Sequence, residues 1–117
     1  MEWTVEFGEG FDSEFDQLAI DVQDALFAKV LLLEKFGPML GRPHVDTLND
    51  SRYANMKELR FDAADGVWRV AFAFDLDRRA ILLVAGDKSG GSQQKFYKTL
   101  IQKADKRFEQ HLKKFKK

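Results

Sequence analysis

Glu58, Arg60, Arg69 and Lys88 are the residues whose types and spacing could do chemistry together. Leu59 and Phe61 alternate with Glu58 and Arg60, while Trp68, Val70, Phe72 and Phe74 alternate with Arg69, Ala71 and Ala73. A period of two assigns the aromatic set to one face of a small sheet and the charged set to the other. The small Ala71 and Ala73 imply a charged face that is concave rather than filled. Two guanidiniums on neighbouring strands suit bidentate capture of a phosphate, and a carboxylate beside them can take a proton from a hydroxyl. Lys88 falls where the last strand ends, within reach of the same pocket, and Lys57 stands at a strand edge where it can help hold a backbone. A plainer reading stays open, because Arg and Glu on adjacent strands often form only a solvated ion pair worth under about 1 kcal/mol. Tyr97, next to Phe96, can stack on a base or simply pack. His44 and His111 stand alone without metal-ligand spacing and read as surface residues. The sequence holds no P-loop, dinucleotide fingerprint, Ser/His/Asp set or zinc motif, and its lack of cysteine excludes disulfides and thiolate metal sites.

The elements that must position these residues follow from periodicity. Trp3, Val5 and Phe7 alternate with polar neighbours, which predicts a half-buried strand over Glu2–Phe7, ended by Gly8 and Gly10. Asp12 or Ser13 can cap a helix whose first turn carries Glu14 and Asp16. Val22, Ala25, Leu26, Lys29, Val30 and Leu33 share a second helical face, so either two helices or one helix bent near Ile20 fits. Gly37 and Pro38 stop it. Met39 to Ala54 keeps no period and carries Arg42, His44, Arg52 and Tyr53. A connection that long in a small domain is often functional. Then come three antiparallel strands: Met56–Phe61, Val67–Phe74 after an Asp65-Gly66 turn, and Ala80–Ala85 after Asp77-Arg78. The third is apolar on both faces and therefore central. A closing helix starts near Ser92, with Phe96, Leu100, Ala104 and Phe108 as its stripe. The expected architecture is α+β, a small, largely antiparallel sheet in the order β-α-α-β-β-β-α, flanked by helices. One domain spans residues 1–112, and a basic tail over 113–117 is expected to fray.

The chain has 117 residues, 44% of them hydrophobic with eleven Phe, enough for a core without a staple. Its formal net charge of zero conceals a division. The first 41 residues carry nine acids against two lysines, and the remaining residues carry seventeen bases against ten acids. Such segregation suggests an anionic partner for the C-terminal half, or attraction between the halves within the fold. No basic region precedes an apolar run at the start, and no apolar run approaches the roughly 20 residues of a membrane span. A cytoplasmic protein is the default expectation.

These residues carry a resemblance. Val22-Gln23-Asp24-Ala25, Phe36-Gly37-Pro38, Leu40-Gly41-Arg42-Pro43, Lys57-Glu58-Leu59-Arg60, Trp68-Arg69-Val70, the run from Arg79 to Lys88, Phe96-Tyr97, Ile101 and Ala104-Asp105 occur in an order similar to the HigB-type branch of the RelE/ParE toxin superfamily. This is the phage-derived toxin family of type II toxin–antitoxin modules. The likeness extends from about Val5 to Leu112. It implies a RelE-like twisted sheet flanked by helices, ribosome-dependent cleavage of mRNA as an endoribonuclease, and silencing by a helix-turn-helix antitoxin of the HigA type. It also implies that the RNA 2′-hydroxyl attacks the adjacent phosphate with no metal ion or cofactor. By position, Arg69 would hold the scissile phosphate and Arg60 would assist. Lys88 would stabilise charge or aid the leaving group, Glu58 is the carboxylate available as base, and Tyr97 or Lys95 would line the RNA. Met56 and Glu58 stand where the RelE pattern tends to have lysines, and no histidine ends the last strand, so the acid and base stay open. Two other readings compete: a ParE-like toxin that acts on gyrase, and an inactive phage-derived protein that keeps only the antitoxin surface.

Overall fold

The structure is a computed structural model and describes residues 2–114. Strand β1 (Thr4–Phe7) leads into helices α1 (Phe11–Asp16) and α2 (Ile20–Phe36). A single 3-10 turn over Gly37–Met39 precedes strands β2 (Val45–Thr47), β3 (Met56–Ala63), β4 (Gly66–Phe74) and β5 (Arg79–Asp87), and helix α3 (Gln93–Lys114) closes the chain. The five strands form one sheet in the order β1-β5-β4-β3-β2. The architecture is α+β as expected, but the sheet is mixed: β1 runs parallel to β5, with Val5 opposite Ala80. β5 therefore has a strand on each side, and its Ala80–Ala85 run is apolar because both faces are covered, with Ala80 and Leu82 beneath α1 and α2 and Ile81, Leu83 and Val84 beneath α3.

Alternation in β3 and β4 separates two cores. Leu59, Phe61, Val70 and Phe72 pack beneath α1 and α2, with Phe11, Phe15, Val22, Leu26 and Leu33 from the helices. On the other face Met56, Ala71, Ala73, Ile81 and Leu83 pack against Leu100, Ile101, Ala104 and Phe108 of α3. Ala71 and Ala73 are fully buried there, so the concavity expected over them is absent. Their small side chains instead let α3 approach the sheet. Gly86 does the same nearer the strand end, where a Cβ would lie 2.8 Å from the Phe96 ring.

Of the two arrangements the sequence allows before β2, the structure has two separate helices, with Ala19 extended at the start of α2. Other boundaries differ from the periodic reading. The β3–β4 turn is made by Ala64 and Asp65, both at positive φ, while Gly66 already pairs with Ala63 as the first residue of β4. The stretch read as structureless contains β2, which pairs antiparallel with β3 and sets Asp46 opposite Glu58. Neither histidine is a bare surface group. Lys29 Nζ lies 2.8 Å from His44 Nδ1, and His111 Nε2 lies 3.0 Å from the buried Asp75 carboxylate. Lys113 and Lys114 belong to α3, and the rest of the tail expected to fray, residues 115–117, lies outside the described residues.

Candidate active site

The sheet end away from β1 gathers the charged set. Glu58 and Arg60 point from β3 to the α3 side, Arg69 stands opposite Arg60 in the β3–β4 register, and α3 lowers Tyr97 between them. The geometry is a chain of contacts. Arg69 Nε donates to the Tyr97 hydroxyl at 3.3 Å, which in turn donates to Glu58 Oε2 at 3.2 Å. Arg60 Nη1 lies 3.6 Å from that same Oε2, and Arg69 Nε lies 3.8 Å from Oε1. Lys88 Nζ stands 5.8 Å from the centre of the Tyr97 ring, a cation held near an aromatic face.

Burial decides what each group can do. Glu58 is 3% exposed and Arg69 5%. Oε1 of Glu58 is buried with no hydrogen-bond partner, a costly arrangement for a carboxylate. Burial pushes the Glu58 carboxyl above its ordinary value, against the Tyr97 hydrogen bond and the Arg69 and Arg60 charges. Lys88 is moved the other way, down from its ordinary value, by burial and then by Arg69 and Arg60. The Tyr97 hydroxyl is pushed up, chiefly by burial. A carboxylate and an ammonium shifted toward neutrality on one wall are what proton transfer needs.

These groups face an open groove of about 1020 Å³ between β2–β3 and the first turns of α3. Glu58, Arg60, Lys88 and Tyr97 line it. Arg69 does not; it sits behind Tyr97, its Nη1 spent on the Trp68 carbonyl at 2.8 Å. Direct capture of a phosphate by Arg69 is therefore not what this arrangement offers, and its charge acts through Glu58 and Tyr97. Lys57 is held on Thr47 Oγ1 at 3.2 Å and Lys95 is exposed; neither is among the groove-lining residues. Periodicity missed Asp46 and Arg42, whose ion pair at 2.6 Å forms part of the wall. The alternation Val45-Asp46-Thr47 was the available signal, but three residues are too few to separate a strand from a loop. Among the described residues, no group of three or more His, Cys, Asp or Glu side chains is assembled as a metal-ligand set.

Residues 13–109 match the family described as phage-derived protein Gp49-like. Over 98 residues the chain is 46% identical to a Mycobacterium tuberculosis protein named as a candidate toxin, HigB3, covering 84% of this chain and 83% of that protein. It is also 40% identical over 114 residues to a second candidate toxin of that organism, HigB2, covering 97% of this chain but only 56% of the relative. Set against that longer relative, the chain spans about half its length. A mutant of the E. coli toxin RelE, solved in the free state, superposes with a TM-score of 0.61 over 88% of this chain and 97% of that one. At 12% identity this likeness is one of fold, and the fold is RelE-like.

Proposed function

The chain belongs to the phage-derived Gp49-like family, and from that premise we propose that it is the toxin of a type II toxin–antitoxin module. On this reading it is an endoribonuclease that cuts mRNA on the ribosome and is silenced by a helix-turn-helix antitoxin of the HigA type. The observation that carries the reading is the Glu58–Tyr97–Arg69 cluster opening into a groove with Arg60 and Lys88 on its wall. A module acting only by binding a partner such as gyrase has no need of a buried, half-compensated carboxylate beside cations.

The chemistry is attack of the RNA 2′-oxygen on the adjacent phosphorus. A new P–O2′ bond forms and the P–O5′ bond breaks, leaving a 2′,3′-cyclic phosphate and a 5′-hydroxyl. Glu58 takes the 2′-hydroxyl proton, directly or through the Tyr97 hydroxyl that donates to it. Arg60 binds the non-bridging oxygens as charge builds on them. Lys88, an ammonium whose proton burial has loosened, protonates the departing 5′-oxygen. Arg69 opposes the burial that pushes the Glu58 carboxyl up and holds Tyr97, so it positions rather than reacts. No step calls on a metal ion.

The test is induction of the chain in a growing bacterium, with primer extension on translated transcripts and labelling of 5′-hydroxyl ends. The reading expects cuts within translated mRNA that bear 5′-hydroxyls, and their loss in Lys88→Ala with the protein still folded. Intact transcripts alongside broken DNA would replace this reading with the gyrase one.

A further inference from the structure

Arg42 and Arg60 share one carboxylate oxygen. Arg42 Nη2 donates to Asp46 Oδ2 at 2.6 Å and Arg60 Nη1 donates to the same atom at 3.3 Å. The other oxygen, Oδ1, accepts the Thr47 N–H at 2.9 Å, so the carboxylate is fixed from its own strand. The β2–β3 pairing brings the three residues together, and all of them line the groove. An oxyanion shared by two guanidiniums is how arginine pairs grip a phosphate.

We propose that Arg42 and the Nη1 side of Arg60 form a second phosphate seat, for a phosphodiester of single-stranded RNA neighbouring the one that is cut, with the other N–H donors of Arg60 left for the cut phosphate, and that the Asp46 carboxylate fills this seat in the free protein. The proposal rests on the groove being an RNA site. The exchange is easy to make, because Arg42 is 74% exposed and Asp46 30% exposed, and ion pairs so open to water are weak. The Arg42 hydrogen bond, ahead of the other causes, holds the Asp46 carboxyl below its ordinary value, so the carboxylate competes with phosphate at physiological pH. Its effect on the groove is large. Four basic and three acidic side chains line the groove, which leaves one surplus positive charge for a polyanion. An arriving phosphate that displaces Asp46 from Arg42 uncovers a second cation only when the RNA is already in place. Free RNA is thereby held poorly, and a strand positioned by the ribosome is held well.

The test titrates a labelled single-stranded oligoribonucleotide with wild type, Asp46→Asn and Arg42→Ala across a potassium chloride series, with thermal melting to show that each is folded. The asparagine keeps an oxygen for the Thr47 N–H, so β2 is preserved. The seat predicts tighter binding for Asp46→Asn, with a log K against log salt slope steeper by about 0.7, the value for one added single-strand phosphate contact. Arg42→Ala alone should leave the slope close to that of wild type, because Asp46 already occupies Arg42, and should cancel the gain when combined with Asp46→Asn. Unchanged or weaker binding in folded Asp46→Asn overturns the seat. Ribosome-dependent cleavage by wild type is measured in parallel. If wild type cuts mRNA and neither variant alters binding, the seat fails alone. If binding follows the pattern and wild type cuts nothing, the seat stands and the nuclease reading fails.

Discussion

Glu58 and Lys88 are displaced toward each other in pKa chiefly by burial, and on the proposed mechanism this sets the shape expected of the activity profile. Glu58 works as a base only when ionised, so activity rises as pH climbs through its raised pKa. Lys88 works as an acid only when protonated, so activity falls as pH climbs through its lowered pKa. The expected profile of single-turnover cleavage is a bell narrower than the interval between the ordinary values, 4.5 and 10.5. Glu58→Gln should lose about 10²–10⁴-fold in rate and flatten the acid limb. Lys88→Arg keeps the charge but not the releasable proton, so it should bind RNA normally, cut slowly and move the alkaline limb up. Cleavage by Glu58→Gln with an intact acid limb would assign the base elsewhere, Tyr97 first. At this scale the sequence was informative up to a point. The alternation around Leu59 and Val70 put Glu58, Arg60 and Arg69 on one face, because period two is local. It could not show that Tyr97 inserts in front of Arg69, since that depends on how α3 lies across the sheet.

Helix α3 is fastened to α1 by one bidentate pair. Arg107 donates to Glu14 Oε1 at 2.9 Å and to Oε2 at 2.6 Å, while its Nη1 also reaches the Leu83 carbonyl at 2.7 Å. Lys103 adds a contact to Glu14 at 3.1 Å. The Arg107 hydrogen bond leads in holding the Glu14 carboxyl down at about 2, against the opposing pull of burial. A depressed folded-state pKa means stability that is complete above the ordinary 4.5 and is lost as pH falls through about 2. Glu14→Gln should therefore melt a few degrees below wild type at pH 7. The difference should shrink between pH 4.5 and 2 and vanish below, as thermal melts across that range would show. A constant difference down to pH 1 would mean that packing, not charge, is what the substitution removes. The clamp answers part of the question posed by the charge division, since acids of the first half hold bases of the last helix. Composition could count those charges but not pair them, because Glu14 and Arg107 are far apart in sequence and carry no shared period. The same reason hid the parallel β1–β5 pairing, which no local pattern distinguishes from an edge hairpin.

At the scale of the molecule α3 serves two ends. Its later turns bury Phe108, 4% exposed, beside Leu100 and Ala104, and its first turns deliver Tyr97 to the groove. Ala71 and Ala73 looked like an empty floor in the sequence because a small residue signals either a void or a close neighbour; the helix supplies the neighbour. It follows that damage to the far end of α3 should reach the site through stability and not through chemistry. Truncating a buried Phe to Ala costs about 3–5 kcal/mol, a large share of the roughly 5–15 kcal/mol that holds a domain. Phe108→Ala is expected to arrest growth at low temperature and fail near 37 °C, with unchanged cleavage positions wherever circular dichroism shows it folded. Tyr97→Phe removes one hydroxyl and no packing but leaves buried Glu58 and Arg69 without that partner, so it should melt several degrees below wild type, stay folded at 37 °C, and cut slowly at every temperature. The two variants separate the helix as scaffold from the helix as part of the site. If folded Phe108→Ala cut at new positions, the far end of α3 would have to touch the RNA or the ribosome directly, and the groove at Tyr97 would be only part of the working surface.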